Sequence, residues 1–330
     1  MYDPVISRRD LLTSGAAIFG APFIAHAQPA PKVPRAGVLF AGVSARSPQL
    51  EGLWQGLRDL GYVDGRNIVI DFNTAEGHLD RLPQLAAELV AHRCDVIVAP
   101  TPAAVGAAKA ATLTIPIVML VVSAPVELGF VKSFARPGGN VTGITMLGEG
   151  LAGKRLQLLK EVVPGLSRVA VIWNPTNPGN VTTVKETERA APELGLTVIS
   201  SPVQRAGDLS RALTAALSER PGALSVVGDP VTFGQRALII DFAAKNRLPS
   251  IYNFPEETAD GGLMSYGVNL THHFRQAATY VDRILRGARP ADLPVEQPTV
   301  FEFVVNLRTA KALGLTIPQS IMGRADKVID

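Results

Sequence analysis

The chain has 330 residues, of which 47% are hydrophobic and 18% charged, and its formal net charge is +3. A hydrophobic share that large excludes a disordered chain and supplies a substantial core, and the length suits two domains. The mild basic excess is spread along the chain with no Lys/Arg block, so nucleic acid is not an expected partner, and one cysteine, Cys94, excludes an internal disulfide.

In chain order, the first feature is SRRDLLTSGAAIFGAPFIAHAQPA, from Ser7 to Ala30. It combines Arg8-Arg9, an apolar run from Leu11 to Ile24, and Ala25-His26-Ala27. The run is shorter and softer than the roughly 20 apolar residues that span a bilayer. A basic start, short apolar middle and A-x-A end fit a cleaved export signal over residues 1–27, and the arginine pair resembles the twin-arginine type. The mature chain would begin at Gln28 and reside in the periplasm. No later apolar run is long enough for a transmembrane segment.

Strand and helix patterns then alternate. RAGVLFAGV reads as a buried strand, and PQLEGLWQGLRDLGY places Leu50, Leu53, Trp54, Leu57 and Leu60 at helical spacing. NIVIDFN, the helix LDRLPQLAAELVAH, the strand CDVIVAP, the helix PAAVGAAKAA and the strand IPIVMLVV follow. ARPGGNVTGIT, Ala135 to Thr145, breaks the series. The alternation restarts with GKRLQLLKEVV and RVAVIW, and runs through to the strand SIYNF. After Gly261-Gly262, LMSYG feeds a long helix from about His272 to Arg286, then the strand TVFEFVVN and a short helix around Ala310. Short continuous apolar strands separated by helices predict an α/β fold of two doubly wound parallel-sheet lobes. Ligands of such sheets bind beyond the carboxyl ends of the strands, so the cleft between the lobes is the expected site.

Catalytic and metal motifs are not what the chain offers. GEGLAGKR, Gly148 to Arg155, satisfies G-x-x-x-x-G-K, but Arg155 stands where a phosphate loop needs Ser or Thr and no strand precedes it. It reads as a helix start with Lys154 and Arg155 solvated. His272-His273 are adjacent and diverge on a helix, which suits exposed residues rather than a metal site. Cys94 reads as a buried structural thiol, and Trp54 as core. No cofactor is expected, and no activated nucleophile or acid–base pair points to an enzyme.

What the strand ends do offer is small polar groups. Ser44 follows the first strand, Thr101 the third, Ser123 the fourth; Asn177 lies in NPTNPGN after RVAVIW, and Asp229 and Thr232 follow LSVVG. Each could be a helix N-cap. Gathered at one cleft, they would present hydroxyls, amides and helix N-termini to a small solute. Asp229 could receive an amine or a sugar hydroxyl.

The stretches GLRDLGYVDGRNIVIDF, LPQLAAELVAHRCDVIVAPTPAA, TIPIVMLVVSAPVELGFVKSFARPGGNVTG and RLPSIY…GGLMSYG, with YVDRILRGARPADLPVEQPTVFEFVVN, resemble the type I periplasmic solute-binding proteins of ABC importers. The likeness is to the subgroup that includes tryptophan-binding members. The resemblance implies lobes joined by crossing strands that close over an amino acid, aromatic acid or small carboxylate, and an ABC permease with a separate ATPase as partner. The expected first lobe is 33–145 plus about 263–298, the second 146–262, with 299–330 unassigned. Ser265 and Tyr266, near the crossing, join the candidate ligand residues. Where the family commonly has D-P-V this chain has Ala124-Pro125-Val126, which implies one acidic group fewer in the cleft and favours neutral or anionic solutes. A ligand-sensing module for a membrane receptor would use the same cleft.

Overall fold

The computed structural model describes residues 33–41, 48–146 and 150–330. The export-signal reading of residues 1–27 and the assignment of Ser44 lie outside the described residues. The first lobe runs β1 (Arg35–Phe40), α1 (Pro48–Asp59), β2 (Val69–Thr74), α2 (Leu82–Ala91), β3 (Val96–Ala99), α3 (Pro102–Ala111), β4 (Ile117–Met119) and β5 (Val141–Gly143). Its five strands are parallel in the order β2-β1-β3-β4-β5. Because both faces are covered, alternate residues go to opposite cores. Val96, Val98 and Val118 pack toward α1, whereas Ile97, Ala99 and Met119 pack toward α2 and α3. β5 falls inside the stretch that reads as a break. Three residues are too few to show a period, and the strand is fixed by pairing with β4 and by Asn140, whose side chain donates to the carbonyls of Thr112 and Ile115.

The second lobe contains α4 (Leu151–Val162), β6 (Arg168–Trp173), α5 (Pro178–Ala190), β7 (Thr197–Pro202), α6 (Leu209–Ser218), β8 (Ala223–Val226), α7 (Pro230–Gly234), α8 (Arg236–Lys245), β9 (Ser250–Tyr252), α9 (Pro255–Ala259) and β10 (Met264–Val268). The strands β7-β6-β8-β9-β10 repeat the order of the first sheet. α10 (Leu270–Leu285) then returns to the first lobe. β11 (Phe301–Asn306), α11 (Leu307–Leu313), α12 (Gln319–Met322) and β12 (Lys327–Ile329) extend the second sheet to seven strands, with β11 antiparallel to β10. One point differs from the sequence reading, and one that it left open is filled in. The residues from 264 to 268 pair with β9 and β11 in the second sheet, so the crossing falls at Asn269, and the C-terminal strands join the second lobe. LMSYG looks like a strand in either sheet, and nothing in its own pattern shows which neighbour it takes.

The chain passes between the lobes in three places: between Thr145 and Leu151, at Asn269, and from Arg286 to Val300. The first and third run side by side, with Thr145 donating its N–H to the Glu296 carbonyl and Glu296 donating to Gly143. α10 lies on α1 at close range because Gly52 and Gly56 give up their side chains. A Cβ at Gly52 would meet the Thr271 carbonyl oxygen at 2.2 Å, and one at Gly56 would meet that of Arg275 at 2.5 Å. The other consequence of this docking concerns the adjacent histidines. His272 is exposed as expected, but His273 is buried, its Nε2 2.9 Å from the Leu120 carbonyl oxygen at the end of β4. Burial pulls its pKa down to about 4. Cys94 is buried as read, and burial pushes its thiol up to about 12, which leaves it an unreactive packing group.

Candidate functional site

Three strand ends share one local design, a capping residue followed by proline at the first helical turn. Thr101 precedes Pro102, Asn177 precedes Pro178, and Asp229 precedes Pro230. The proline supplies a helical φ and lacks the N–H that would be orphaned there, while the cap oxygen takes the next free donor. Thr101 Oγ1 accepts from Ala104 N at 3.3 Å, Asn177 Oδ1 from Gly179 N at 3.0 Å, and Asp229 Oδ1 from Val231 N at 2.9 Å. Capping is therefore real at all three, and it fixes the helix N-termini around the interlobe space.

β6 and β8 flank the point where the strand order of the second sheet reverses, so the loops after them meet. Asn174 Nδ2 donates to Asp229 Oδ1 at 3.0 Å and Asn177 Nδ2 to Oδ2 at 2.9 Å; Thr176 in turn donates to Asn174 Oδ1. Asp229 is 6% exposed. Its two oxygens already accept three donors from this chain, so the carboxylate acts first as a clamp between the two loops and only secondarily as a receptor for a solute amine.

Between the lobes lies a cavity of about 220 Å³, room for a solute of roughly seven waters' volume. Of the sequence candidates it brings together Thr101 and Ser123 from the first lobe with Asn177 and Asp229 from the second. The other three described candidates do not line it. Thr232 is fully buried, donating to the Val227 carbonyl at 2.8 Å and packed beneath the helix it was expected to present. Ser265 is buried within β10. The Tyr266 side chain turns to the outer side, where it meets Phe301 and Phe303, because the pleat sends alternate residues of β10 to opposite faces. Neither Trp54 nor Trp173 reaches the cavity. Trp54 packs edge-on against Phe72, and Trp173 donates its indole N–H to Ser200. Ala124 is buried behind Ser123 and is not part of the lining.

The largest departure is Arg155. Expected in solvent, it is 5% exposed and lines the cavity, with Nη1 donating to the Tyr266 carbonyl at 3.1 Å. Burial pulls its pKa down to about 10, against the opposing charge of Glu186, so the group remains a cation at neutral pH. The signal was present in the sequence: Ala152, Arg155, Leu159 and Val162 fall on one helical stripe, and an arginine inside an apolar stripe is a buried one. Asn180 and Asn253 were missed as well. Asn180 shares a face of α5 with Val184 and Thr187, and Asn253 stands immediately after β9, at a strand end like the residues that were recognised. Asn180 Nδ2 and Asn253 Oδ1 are buried without a hydrogen-bond partner, and both residues line the cavity. Val121, Met146, Leu151, Phe233, Phe254 and Leu270 provide its apolar walls.

The lobes meet across this space. Gln49 at the start of α1 donates to Glu256 Oε1 on α9 at 3.0 Å, and Gly179 on α5 rests against Ser123. Among the described residues no group of His, Cys, Asp and Glu is placed to hold a metal ion, and the lining carries groups that bind rather than react.

Comparison with known proteins gives a consistent result. The family described as ABC transporter substrate binding protein matches residues 40–329. The Tyrosine-binding protein of Clostridioides difficile (strain R20291) is 29% identical over 266 residues, 80% of this chain and 76% of that one. A crystal structure of an ABC domain in complex with L-Trp from Streptococcus pneumonia superposes with a TM-score of 0.84 at 26% identity, covering 90% of this chain and 99% of the other. The ligand-free, open structure of a substrate binding protein with adhesive properties from Clostridium difficile gives 0.71 at 25% identity, over 90% and 99%. The topology and these matches are those of the type I periplasmic binding fold. The chain belongs to the ABC transporter substrate binding protein family, a class that binds its solute and carries out no chemistry on it.

Proposed function

We propose that this protein is the periplasmic solute-binding component of an ABC importer. It closes its lobes on an amino acid with an apolar or aromatic side chain and delivers it to a membrane permease driven by a separate ATPase. The observation that carries this reading is the interlobe cavity, where one cation, unpartnered amide donor and acceptor groups and apolar walls surround a volume suited to a small zwitterion. The tyrosine and L-Trp named for two relatives support the solute class. The higher similarity to the L-Trp complex than to the open, ligand-free structure supports a closed arrangement.

The test is a thermal-shift and calorimetric panel of L-Trp, L-Tyr, L-Phe, L-Leu, D-ribose and uridine. Aromatic or branched amino acids are expected to raise the melting point, with a stabilisation of about 2.7 kcal/mol at a hundredfold excess over Kd. A response to the sugar or nucleoside alone would sink the amino-acid reading. Export is tested separately: Arg8→Lys with Arg9→Lys is expected to leave the precursor uncleaved inside the cell, because twin-arginine recognition distinguishes arginine from lysine. Cleavage and export at the normal rate would assign the signal to the general secretory route.

A further inference from the structure

A buried arginine ordinarily sits in an ion pair, because an uncompensated charge away from water is costly. Arg155 departs from this. It is 5% exposed, and among the described residues its one hydrogen bond goes to the Tyr266 carbonyl and no carboxylate lies within ion-pair distance of it. Glu186, in the same lining, supplies the largest opposing charge, but from further away.

A second, independent observation lies on the neighbouring helix. Asn180 is 4% exposed, lines the same cavity, and its Nδ2 has no hydrogen-bond partner. A buried cation with no carboxylate at ion-pair distance among the described residues, and a buried amide donor with no partner, face a space of about 220 Å³. Polar groups left in this state inside a folded protein are completed by a ligand or water. What completes a guanidinium best is a carboxylate, whose two oxygens match its fork. The acidic candidate points the same way, since Asp229 is already occupied by Asn174, Asn177 and Val231 N.

We propose that Arg155 receives a carboxylate of the bound solute, with Asn180 as a second donor, and that this pair restricts the site to carboxylate-bearing ligands. The assignment rests on the interlobe cavity being the solute site, as in the proposed function, and adds the group by which the solute is selected. It also gives the buried charge a role: Arg155 lacks a carboxylate partner among the described residues, and the solute supplies one on arrival.

The experiment measures, on the whole protein, calorimetric affinities for two acid and amide pairs, L-Trp with L-tryptophanamide and 3-phenylpropionate with 3-phenylpropionamide. Wild type is expected to prefer an acid over its amide by at least about tenfold, the usual gain from a charge-assisted fork. Arg155→Gln is expected to abolish that preference while its ligand-free melting point stays within a few degrees of wild type. Asn180→Ala, a milder change, is expected to reduce the preference about fivefold and keeps the test open should Arg155→Gln not fold. If only the phenylpropionate pair discriminates, the amino-acid reading fails and the Arg155 assignment stands. An acid preference unchanged in both variants, or no preference for either acid in wild type, would overturn it and make Arg155 a prop for the Tyr266 carbonyl.

Discussion

Gly179→Val is expected to produce a folded protein that binds its solute at least about a hundredfold more weakly, because the lobes can no longer meet. Gly179 lies in the first turn of α5, and a Cβ there would stand 2.6 Å from Ser123 Cβ and 3.1 Å from its Oγ. Real carbon–carbon contacts do not close to that distance, and the obstruction falls on a residue of the opposite lobe, not on the core of its own. Valine is tolerated by a helix about as well as glycine or better, and the Gly179 N–H that Asn177 accepts is retained, so the second lobe keeps its stability. The cost falls on the closed state alone. A ligand that needs that state loses affinity in proportion to its depopulation, and a closed state raised by about 2.7 kcal/mol gives a hundredfold loss. Calorimetry with the best ligand of the panel reads the affinity, and small-angle scattering with saturating ligand reads the separation of the lobes. Wild-type affinity in the variant would mean that Ser123 and Gly179 need not touch for capture.

The second large effect concerns acid. His273 titrates near pH 4 in the folded chain against an ordinary value of 6.5, chiefly because it is buried. The unfolded chain therefore binds a proton between pH 6.5 and 4 that the folded chain refuses. Stability contributed by the neutral imidazole is complete above pH 6.5 and is lost as pH falls toward 4, up to about 3 kcal/mol in all. Glu257 tilts the other way: burial raises its carboxyl to about 8, so its contribution is complete below pH 4.5 and is lost as pH rises toward 8. Comparing wild type with His273→Gln cancels the Glu257 slope. Glutamine keeps a donor for the Leu120 carbonyl but has no proton to gain. Chemical denaturation at pH 7, 6, 5 and 4 is expected to show wild type losing stability relative to the variant across that range. Parallel curves would mean that His273 takes up its proton without cost.

The lobes were legible because a sheet covered on both faces makes its strands continuously apolar, and VIVA and RVAVIW are of this kind. β5 was not, since Val141–Gly143 is specified by its neighbour β4 and by Asn140 rather than by its own pattern. The assignment of β10 failed for a related reason: a strand shows its character locally but its sheet only through pairing. At the candidate site, the strand-end rule picked out Thr101, Ser123, Asn177 and Asp229, which line the interlobe cavity, because position beyond a parallel strand is a geometric consequence of order along the chain. It could not tell which atoms would remain free, and the Asp229 carboxylate turned out to be taken by Asn174 and Asn177. Thr232 and Ser265 stand one turn or one pleat away from lining positions, a distinction that depends on rotation about a helix or strand axis. Arg155 was misread because the phosphate-loop spacing drew attention to the loop, while the apolar stripe of α4 carried the information.

The docking of α10 on α1 has a consequence for how the protein comes to be made. α1 is finished at Asp59 and its apolar residues Leu50, Leu53 and Leu57 are buried in the complete protein, partly against α10, which begins at Leu270. During synthesis at about 5–20 residues per second, the ribosome needs on the order of ten seconds or more to supply that cover. Over this interval the part of the α1 face that α10 covers lacks its native partner, while the part against the sheet is already served by Val96, Val98 and Val118. The second sheet is likewise incomplete until β11 and β12 have been made. Each lobe is thus completed by segments that lie far along the chain from its first strand.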